Sequence, residues 1–489
     1  MFGMKRENHF NNINDIFLSE DEFVFDKLKE ECGVFGIYNK NNLDSARLTY
    51  YALYALQHRG QESAGIAVND GEKLLFHKDM GLVPEIFNEK ILNSLKGKIA
   101  IGHVRYSTTG ASSRENSQPM VIKYKSGQMA MAHNGNLVNA AKIREKLEEE
   151  GIIFQSTIDS EVILNLISRF RLSSNNIEEA IVKVMKEIKG AYSLVILTPN
   201  KLIGIRDPHG IRPLCIGHID DSYILASETC ALDAIGAEYI RDVNPGEIIV
   251  IEESGMTSIQ MEVPGKSALC IFEHIYFARP DSYIDGASVH RARIEAGRRL
   301  AQEHPVEADL VFGVPDSGIS AALGYSMESG IPYDLGLIKN RYIGRTFIQP
   351  EQGQRENGVR IKLNALKEAV DGKRVVMIDD SIVRGTTSKR LVQILRDAGA
   401  KEVHMRISSP PYIYPCFFGV DTSSRSQLIA AECSVEEIRK MTGADSLGYL
   451  SLEGLLKTPV GAKCGFCTGC FTGQYPMEVP ENANKYSCG

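Results

Sequence analysis

The chain has 489 residues, 43% of them hydrophobic and 24% charged, with a formal net charge of -7. That length allows about two to four domains. The charge excludes a general binder of nucleic acid or of anionic membranes, although basic residues can still gather around a phosphorylated small molecule. No apolar run approaches the ~18 residues of a membrane span. The opening segment MFGMKRENHFNNINDIFLSE lacks the continuous apolar stretch of a secretory signal. A cytoplasmic protein is expected, so the ten cysteines do not read as a disulfide framework. Cys215, Cys230 and Cys433 sit in apolar contexts and are expected in the core.

Residues 1–31 are rich in Asn, Asp and Glu and weakly patterned, and they read as a mobile leader. Cys32 stands at the seam between this leader and the strand-like run VFGIYN. The stretch SARLTYYALYALQHRG has apolar residues at helical spacing and a stop at Gly60. Short strands bounded by turn residues follow: KIAIGHVRYS, GQMAMAHNG, AYSLVILTP, KLIGIRD, YILAS and GEIIVIEE. Amphipathic helices are interleaved, IEEAIVKVMKEI among them. Many short strands with a few helices predict a layered α/β sandwich. Four polar stretches lie at strand ends or turns: QHRGQESAGIA, GHVRYSTTG, AHNGNLVN and STIDSEV. Each alone is a weak signal.

The texture changes near residue 262. From about residue 286 strands and helices alternate, the rhythm of a parallel sheet built from βα units. RVVMIDDSIVRGTTSKRLVQIL reads as a buried strand, then Asp379 and Asp380 at its C-terminal end, where open parallel sheets bind ligands. Gly385, Thr386 and Thr387 then lead into a helix, whose N-terminus is an anion site. Two acids beside a phosphate cradle repel the ligand unless they meet ribose hydroxyls or Mg²⁺. The loop KNRYIGRTFIQPEQGQRENGVRIKLN is long and polar, with Arg341, Arg345, Arg355 and Arg360 among its cations. Such a loop is suited to closing over a pyrophosphate. Near the end, KCGFCTGCFTG carries Cys464, Cys467 and Cys470 at a spacing that lets thiolates converge on zinc or an iron–sulfur centre.

The Asp-Asp and Gly-Thr-Thr stretch resembles the fingerprint of type I phosphoribosyltransferases. The resemblance implies that Asp379 and Asp380 address the ribose of phosphoribosyl pyrophosphate (PRPP). It implies that Ser381, Arg384, Gly385, Thr386 and Thr387 hold the 5′-phosphate. The VPDSG stretch, with Asp316, Ser317 and Gly318, resembles the pyrophosphate loop, and Lys339 and Arg341 begin the lid. Ser317, Asp379 and Asp380 match the positions assigned to Mg²⁺.

The first half, from CGVFGI onward, resembles class II glutamine amidotransferases of the N-terminal-nucleophile (Ntn) hydrolase type. That implies an αββα glutaminase domain in which Cys32 is the nucleophile and its own α-amino group the base, after removal of the leader between Glu31 and Cys32. An α-amino group has a pKa of about 7.7–8.0, suited to the task. Asn134 and Gly135 would form the oxyanion hole, and Arg105 and Asp159 would bind the glutamine α-carboxylate and α-ammonium.

The two halves together resemble the processed glutamine phosphoribosylpyrophosphate amidotransferases, which hold a [4Fe–4S] cluster. Its ligands map to Cys270, Cys416, Cys467 and Cys470, with Cys464 left over. The implied organisation is a leader at 1–31, a glutaminase domain at 32–262, a phosphoribosyltransferase domain at 263–470 and a tail at 471–489. The family adds a homotetramer and feedback by purine nucleotides. Two rival readings exist: a glutaminase joined to a sugar-phosphate isomerase, and a non-catalytic sensor of nucleotides or PRPP. The paired acids argue against the first, and Cys32, Asn134 and Gly135 in register argue against the second.

Overall fold

The computed structural model describes residues 31–41, 44–106, 112–125, 127–262, 265–340, 363–420, 422 and 425–480. In the first half, two antiparallel sheets stack face to face. One has the order β11-β9-β10-β1-β4-β2-β3. Its strands are β1 (Gly33–Tyr38), β2 (Ser63–Asn69), β3 (Leu74–Met80), β4 (Ile99–Arg105), β9 (Cys215–Ile219), β10 (Ser222–Ala226) and β11 (Glu238–Asp242). The other has the order β13-β12-β8-β7-β6-β5. It comprises β5 (Met120–Tyr124), β6 (Gly127–Leu137), β7 (Gly190–Leu197), β8 (Leu202–Arg206), β12 (Glu247–Glu252) and β13 (Gly255–Gln260).

Helices α1 (Ser45–Ala55), α2 (Val83–Ile86), α3 (Glu89–Ser94) and α7 (Thr229–Asp233) cover the first sheet. Helices α4 (Ala140–Glu149), α5 (Asp159–Arg171) and α6 (Ile177–Glu187) cover the second. This is the expected αββα sandwich. Covering both faces explains the near-continuous apolar strands. On β7, Leu194 and Ile196 turn to the helices, while Val195 and Leu197 turn to the opposing sheet. Helix α1 is shorter than its periodicity predicts: it ends at Ala55, not at Gly60. Arg59, in the turn that follows, is buried against Glu228 and Glu273.

In the second half, β17 (Leu310–Gly313), β20 (Arg374–Asp379), β21 (Glu402–Ile407) and β22 (Ser446–Tyr449) form a parallel sheet in that order. Helices α8 (Val289–Glu303) and α9 (Ile319–Ser329) cover one face. Helices Thr386–Asp397 and Val435–Thr442 cover the other. In β20, Val376 and Ile378 face the first pair, and Val375 and Met377 face the second. Three two-stranded elements surround this sheet: β14 (Leu269–Cys270) with β23 (Phe466–Cys467), β15 (Tyr283–Ile284) with β16 (Ala287–Ser288), and β18 (Leu337–Lys339) with β19 (Leu363–Ala365). Among the described residues no helix is long and apolar enough to cross a membrane.

Candidate active sites

Cys32 immediately precedes β1, and the register Gly33↔Val104 sets it beside Arg105 at the end of β4. Its Sγ donates to the Tyr106 carbonyl at 3.3 Å. Burial pushes the Cys32 thiol up to about 11; Arg105 opposes the rise, while Glu62 and Asp159 add to it. Such a thiol is protonated at neutral pH and needs a base to become a nucleophile. Asn134 and Gly135 lie on β6, in the opposing sheet. Asn134 is 1% exposed, and its Nδ2 has no hydrogen-bond partner. A buried donor left unmade is costly, and it calls for an acceptor that arrives later. Gly135 has φ +147°, and a Cβ there would stand 2.0 Å from the Ala191 carbonyl oxygen, so only glycine fits against β7.

Asp159 opens α5 and is buried. Burial works against its charge, but His133 beside it and the Leu137 amide, 2.9 Å away, hold its carboxyl below the usual range. Arg105 is buried 3.9 Å from Glu62. The structure therefore brings Cys32, Arg105 and Asp159 into one charged neighbourhood.

Sequence reasoning missed a buried charge cluster next to this site. Arg59 donates from Nε to the Cys32 carbonyl at 3.1 Å. It also bonds Glu228 at 2.5 Å and Glu273 at 2.7 Å. Glu273 lies in a single π-helical turn, Glu273–Phe277, in the second half of the chain. Arg212 donates to the Phe418 carbonyl and pairs with Glu31. Glu31 also lies 3.4 Å from Arg59. The QHRGQ stretch contained the only local signal, since the partners come from distant segments.

At the C-terminal end of β20, Asp379, Asp380 and Ser381 are buried. Asp380 accepts hydrogen bonds from the Ser317 and Ser381 hydroxyls, the latter at 2.6 Å. Ser317 belongs to the turn after β17, which presses onto β20: a Cβ on Gly318 would lie 2.3 Å from the Ile378 carbonyl oxygen. Gly385, at φ +84°, precedes helix Thr386–Asp397, so Thr386 and Thr387 form its first turn. Arg384 bonds Gln427 at 3.0 Å. Lys339 pairs with Asp316 at 2.8 Å. Arg293 of α8 was not foreseen. Burial lowers its guanidinium to about 10, against the opposing pull of Asp380. The oxygen-rich set of Ser317, Asp379 and Asp380 suits a hard cation, and Mg²⁺ usually takes only one or two carboxylates, with waters and substrate phosphates completing its shell.

Cys270 and Cys467 pair across β14 and β23. Burial pushes the Cys270, Cys467 and Cys470 thiols up, and each also feels the charge of Cys416. The Phe418 amide donates to Cys416 Sγ at 3.4 Å. All four are free thiols. Among the described residues no three His, Cys, Asp or Glu side chains converge closely enough to hold one metal ion. A four-iron cluster places each thiolate on a different iron, so its sulfurs stand farther apart than ligands of a single ion. Cysteine thiolates are the donors such a cluster takes, so the chemistry of these four side chains is compatible with one. Cys464 is hydrogen-bonded to Asp285 and lies within the field of Arg206. Tyr475 packs its ring on Phe417 and Phe418. Arg341, Arg345, Arg355 and Arg360 of the predicted lid, and residues 1–30 of the leader, lie outside the described residues.

A glutamine amidotransferase domain model matches residues 103–234, and a phosphoribosyl transferase domain model matches residues 287–408. The chain is 54% identical over 451 residues to the amidophosphoribosyltransferase of Archaeoglobus fulgidus, covering 92% of this chain and 98% of the relative. It is 54% identical over 458 residues to that of Bacillus subtilis, covering 92% and 95%. The solved structure of glutamine PRPP amidotransferase from B. subtilis complexed with ADP and GMP superposes with a TM-score of 0.88 at 52% identity, covering 94% of this chain and 100% of that one. With a glutaminase sandwich and a phosphoribosyltransferase sheet in one chain, and relatives this similar over nearly their full length, the chain belongs to the amidophosphoribosyltransferase family.

Proposed function

We propose that this protein converts glutamine, PRPP and water to 5-phosphoribosylamine, glutamate and pyrophosphate, the first committed step of purine synthesis. The observation that carries the reading is the pairing of a buried Cys32 with an unpartnered Asn134 amide in one half and the Asp379–Asp380 strand end in the other.

Removal of the leader frees the Cys32 α-amino group to act as base. Cys32 Sγ then attacks the side-chain amide carbon of glutamine. The Asn134 amide and the Gly135 N–H take the developing oxyanion charge. The thiol proton passes through the α-amino group to the departing ammonia, and water releases glutamate from the thioester. Arg105 and Asp159 hold the two charged groups on the glutamine α-carbon.

Ammonia passes to the second site without entering bulk water and displaces pyrophosphate from C1 of the ribose. Asp379 and Asp380 orient the ribose hydroxyls. Ser381, Arg384, Gly385, Thr386 and Thr387 cradle the 5′-phosphate. Asp316, Ser317, Gly318, Lys339 and Arg341 serve the pyrophosphate. Ser317, Asp379 and Asp380 would hold Mg²⁺, which supplies countercharge to the pyrophosphate when bound. Cys270, Cys416, Cys467 and Cys470 would hold a [4Fe–4S] cluster that ties β14 to β23 and to the loop around Phe418. This is the processed iron–sulfur form of the family, a cytoplasmic homotetramer inhibited by purine nucleotides. The B. subtilis relative, solved with ADP and GMP, supports the last point.

The test is pyrophosphate release from PRPP and Mg²⁺ by anaerobically prepared protein, with glutamine or ammonium as nitrogen source. Release with both is expected. Release with neither, from folded protein, overturns the reading.

A further inference from the structure

Glu31 and Cys32 are 1% and 6% exposed, so the bond between them is buried on both sides. Arg212 pairs with one carboxylate oxygen of Glu31. Arg59 Nη2 lies 3.4 Å from the other, and Arg59 Nε donates to the Cys32 carbonyl at 3.1 Å. One guanidinium thus holds the side chain before the bond and the carbonyl after it. Arg212 is itself anchored, its Nε donating to the Phe418 carbonyl at 3.1 Å.

We propose that Arg59 and Arg212 form a carboxylate clamp that selects the Glu31–Cys32 bond as the site of leader removal. The inference rests on the reading that the leader is removed. A bond buried on both sides is closed to a separate protease, so the cut is made in place. Cys32 Sγ attacks the Glu31 carbonyl carbon, the C–N bond breaks as the C–S bond forms, and the thiol proton moves to the freed α-nitrogen. Water then hydrolyses the thioester, restoring the thiol and leaving a carboxylic acid on Glu31. The clamp also favours release afterwards. Three buried carboxylates, Glu31, Glu228 and Glu273, share the guanidiniums of Arg59 and Arg212, with His58 beside Glu228. Loss of Glu31 leaves two carboxylates facing two guanidiniums, which removes an excess of buried negative charge.

The test uses the full chain with Glu31→Asp, Glu31→Gln and Glu31→Lys, because residue 31 is absent from the mature product. Intact mass and N-terminal sequencing follow the fraction beginning at Cys32, and ammonium-dependent pyrophosphate release reports the fold. Glu31→Asp is expected to be cut within a few-fold of wild type, Glu31→Gln at least tenfold more slowly, and Glu31→Lys not measurably, all with wild-type ammonium activity. Gln matches Glu in shape, so cutting of Glu31→Gln at the wild-type rate would overturn the clamp. A wild-type chain that keeps its leader while active with glutamine would instead overturn the leader-removal reading, and the clamp with it.

Discussion

Replacing Asn134 with Ala removes a buried amide whose Nδ2 has no hydrogen-bond partner and which the proposed mechanism makes an oxyanion donor. Glutamine-dependent kcat is expected to fall ~10²–10³-fold, the usual cost of an oxyanion donor, while ammonium-dependent pyrophosphate release stays unchanged. Equal loss of both activities in steady-state assays would make Asn134 a folding residue. The Cys32 thiol makes a second test. With its pKa raised to about 11 by burial, the thiolate is the minor form throughout the neutral range and grows as pH rises toward that value. In a chain that keeps Glu31, alkylation of Cys32 by iodoacetamide should therefore accelerate about tenfold per pH unit between pH 7 and 10. A plateau by pH 9, followed by peptide mass mapping, would contradict the burial argument. At this scale one short stretch, Asp379-Asp380 followed by Gly-Thr-Thr, singled itself out in the sequence, whereas Asn134-Gly135 drew notice only through resemblance to a family. The sequence was silent on Arg59 and Arg212, whose partners Glu273 and the Phe418 carbonyl lie far along the chain.

Helices α8 and α9 cross where neither can carry a side chain. A Cβ on Gly297 would stand 1.8 Å from the Ala321 carbonyl oxygen, and one on Gly324 1.9 Å from that of Ile294. Gly297→Ala must push the helices apart, at a cost of ~1–3 kcal/mol. Because α9 follows directly on the Ser317 turn, PRPP affinity should weaken together with thermal stability. Unchanged KM for PRPP and an unchanged melting curve would show that the crossing yields freely. Strands β1, β4, β6, β7, β8, β10, β12 and β20 were legible as short runs between turn residues, whereas β2, β3, β5, β9, β11, β13, β21 and β22 were not singled out. Helix α1 was overextended, because Gly60 was taken as its stop although the residues after Leu56, Gln57-His58-Arg59, are polar and Arg59 is buried against Glu228 and Glu273. Periodicity reports which residues want burial, not which buried charge they must meet.

Across the whole molecule, buried ion pairs join the two halves. Arg206 of β8 pairs with Asp285, at 2.7 Å, in the turn between β15 and β16. Asp285→Asn leaves Arg206 charged, buried and short of its countercharge, and should cost ~3–5 kcal/mol. Calorimetry showing no fall in the transition temperature would mean that the halves are held by apolar contact alone. Cys416→Ser should lower iron and acid-labile sulfide in anaerobic protein to a small fraction of wild type, as measured by metal analysis. Wild-type iron content in that variant would remove Cys416 from the ligand set.

The fold class was legible from the sequence, and the Asp379–Asp380 strand end stood out because its signal is local. Strand, turn and helix N-terminus follow one another within RVVMIDDSIVRGTTSK, and hydrogen bonding along a few residues sets their geometry. The cysteine spacing at 467–470 is local in the same way. Long-range packing alone decided that β14 and β23 bring Cys270 beside Cys467, that Cys464 meets Asp285, and that Glu31, Arg59, Arg212, Glu228 and Glu273 meet beside Cys32. Those contacts join segments up to about two hundred residues apart. Their energy comes from pairing charges once water has been excluded. No periodicity along the chain encodes such a meeting.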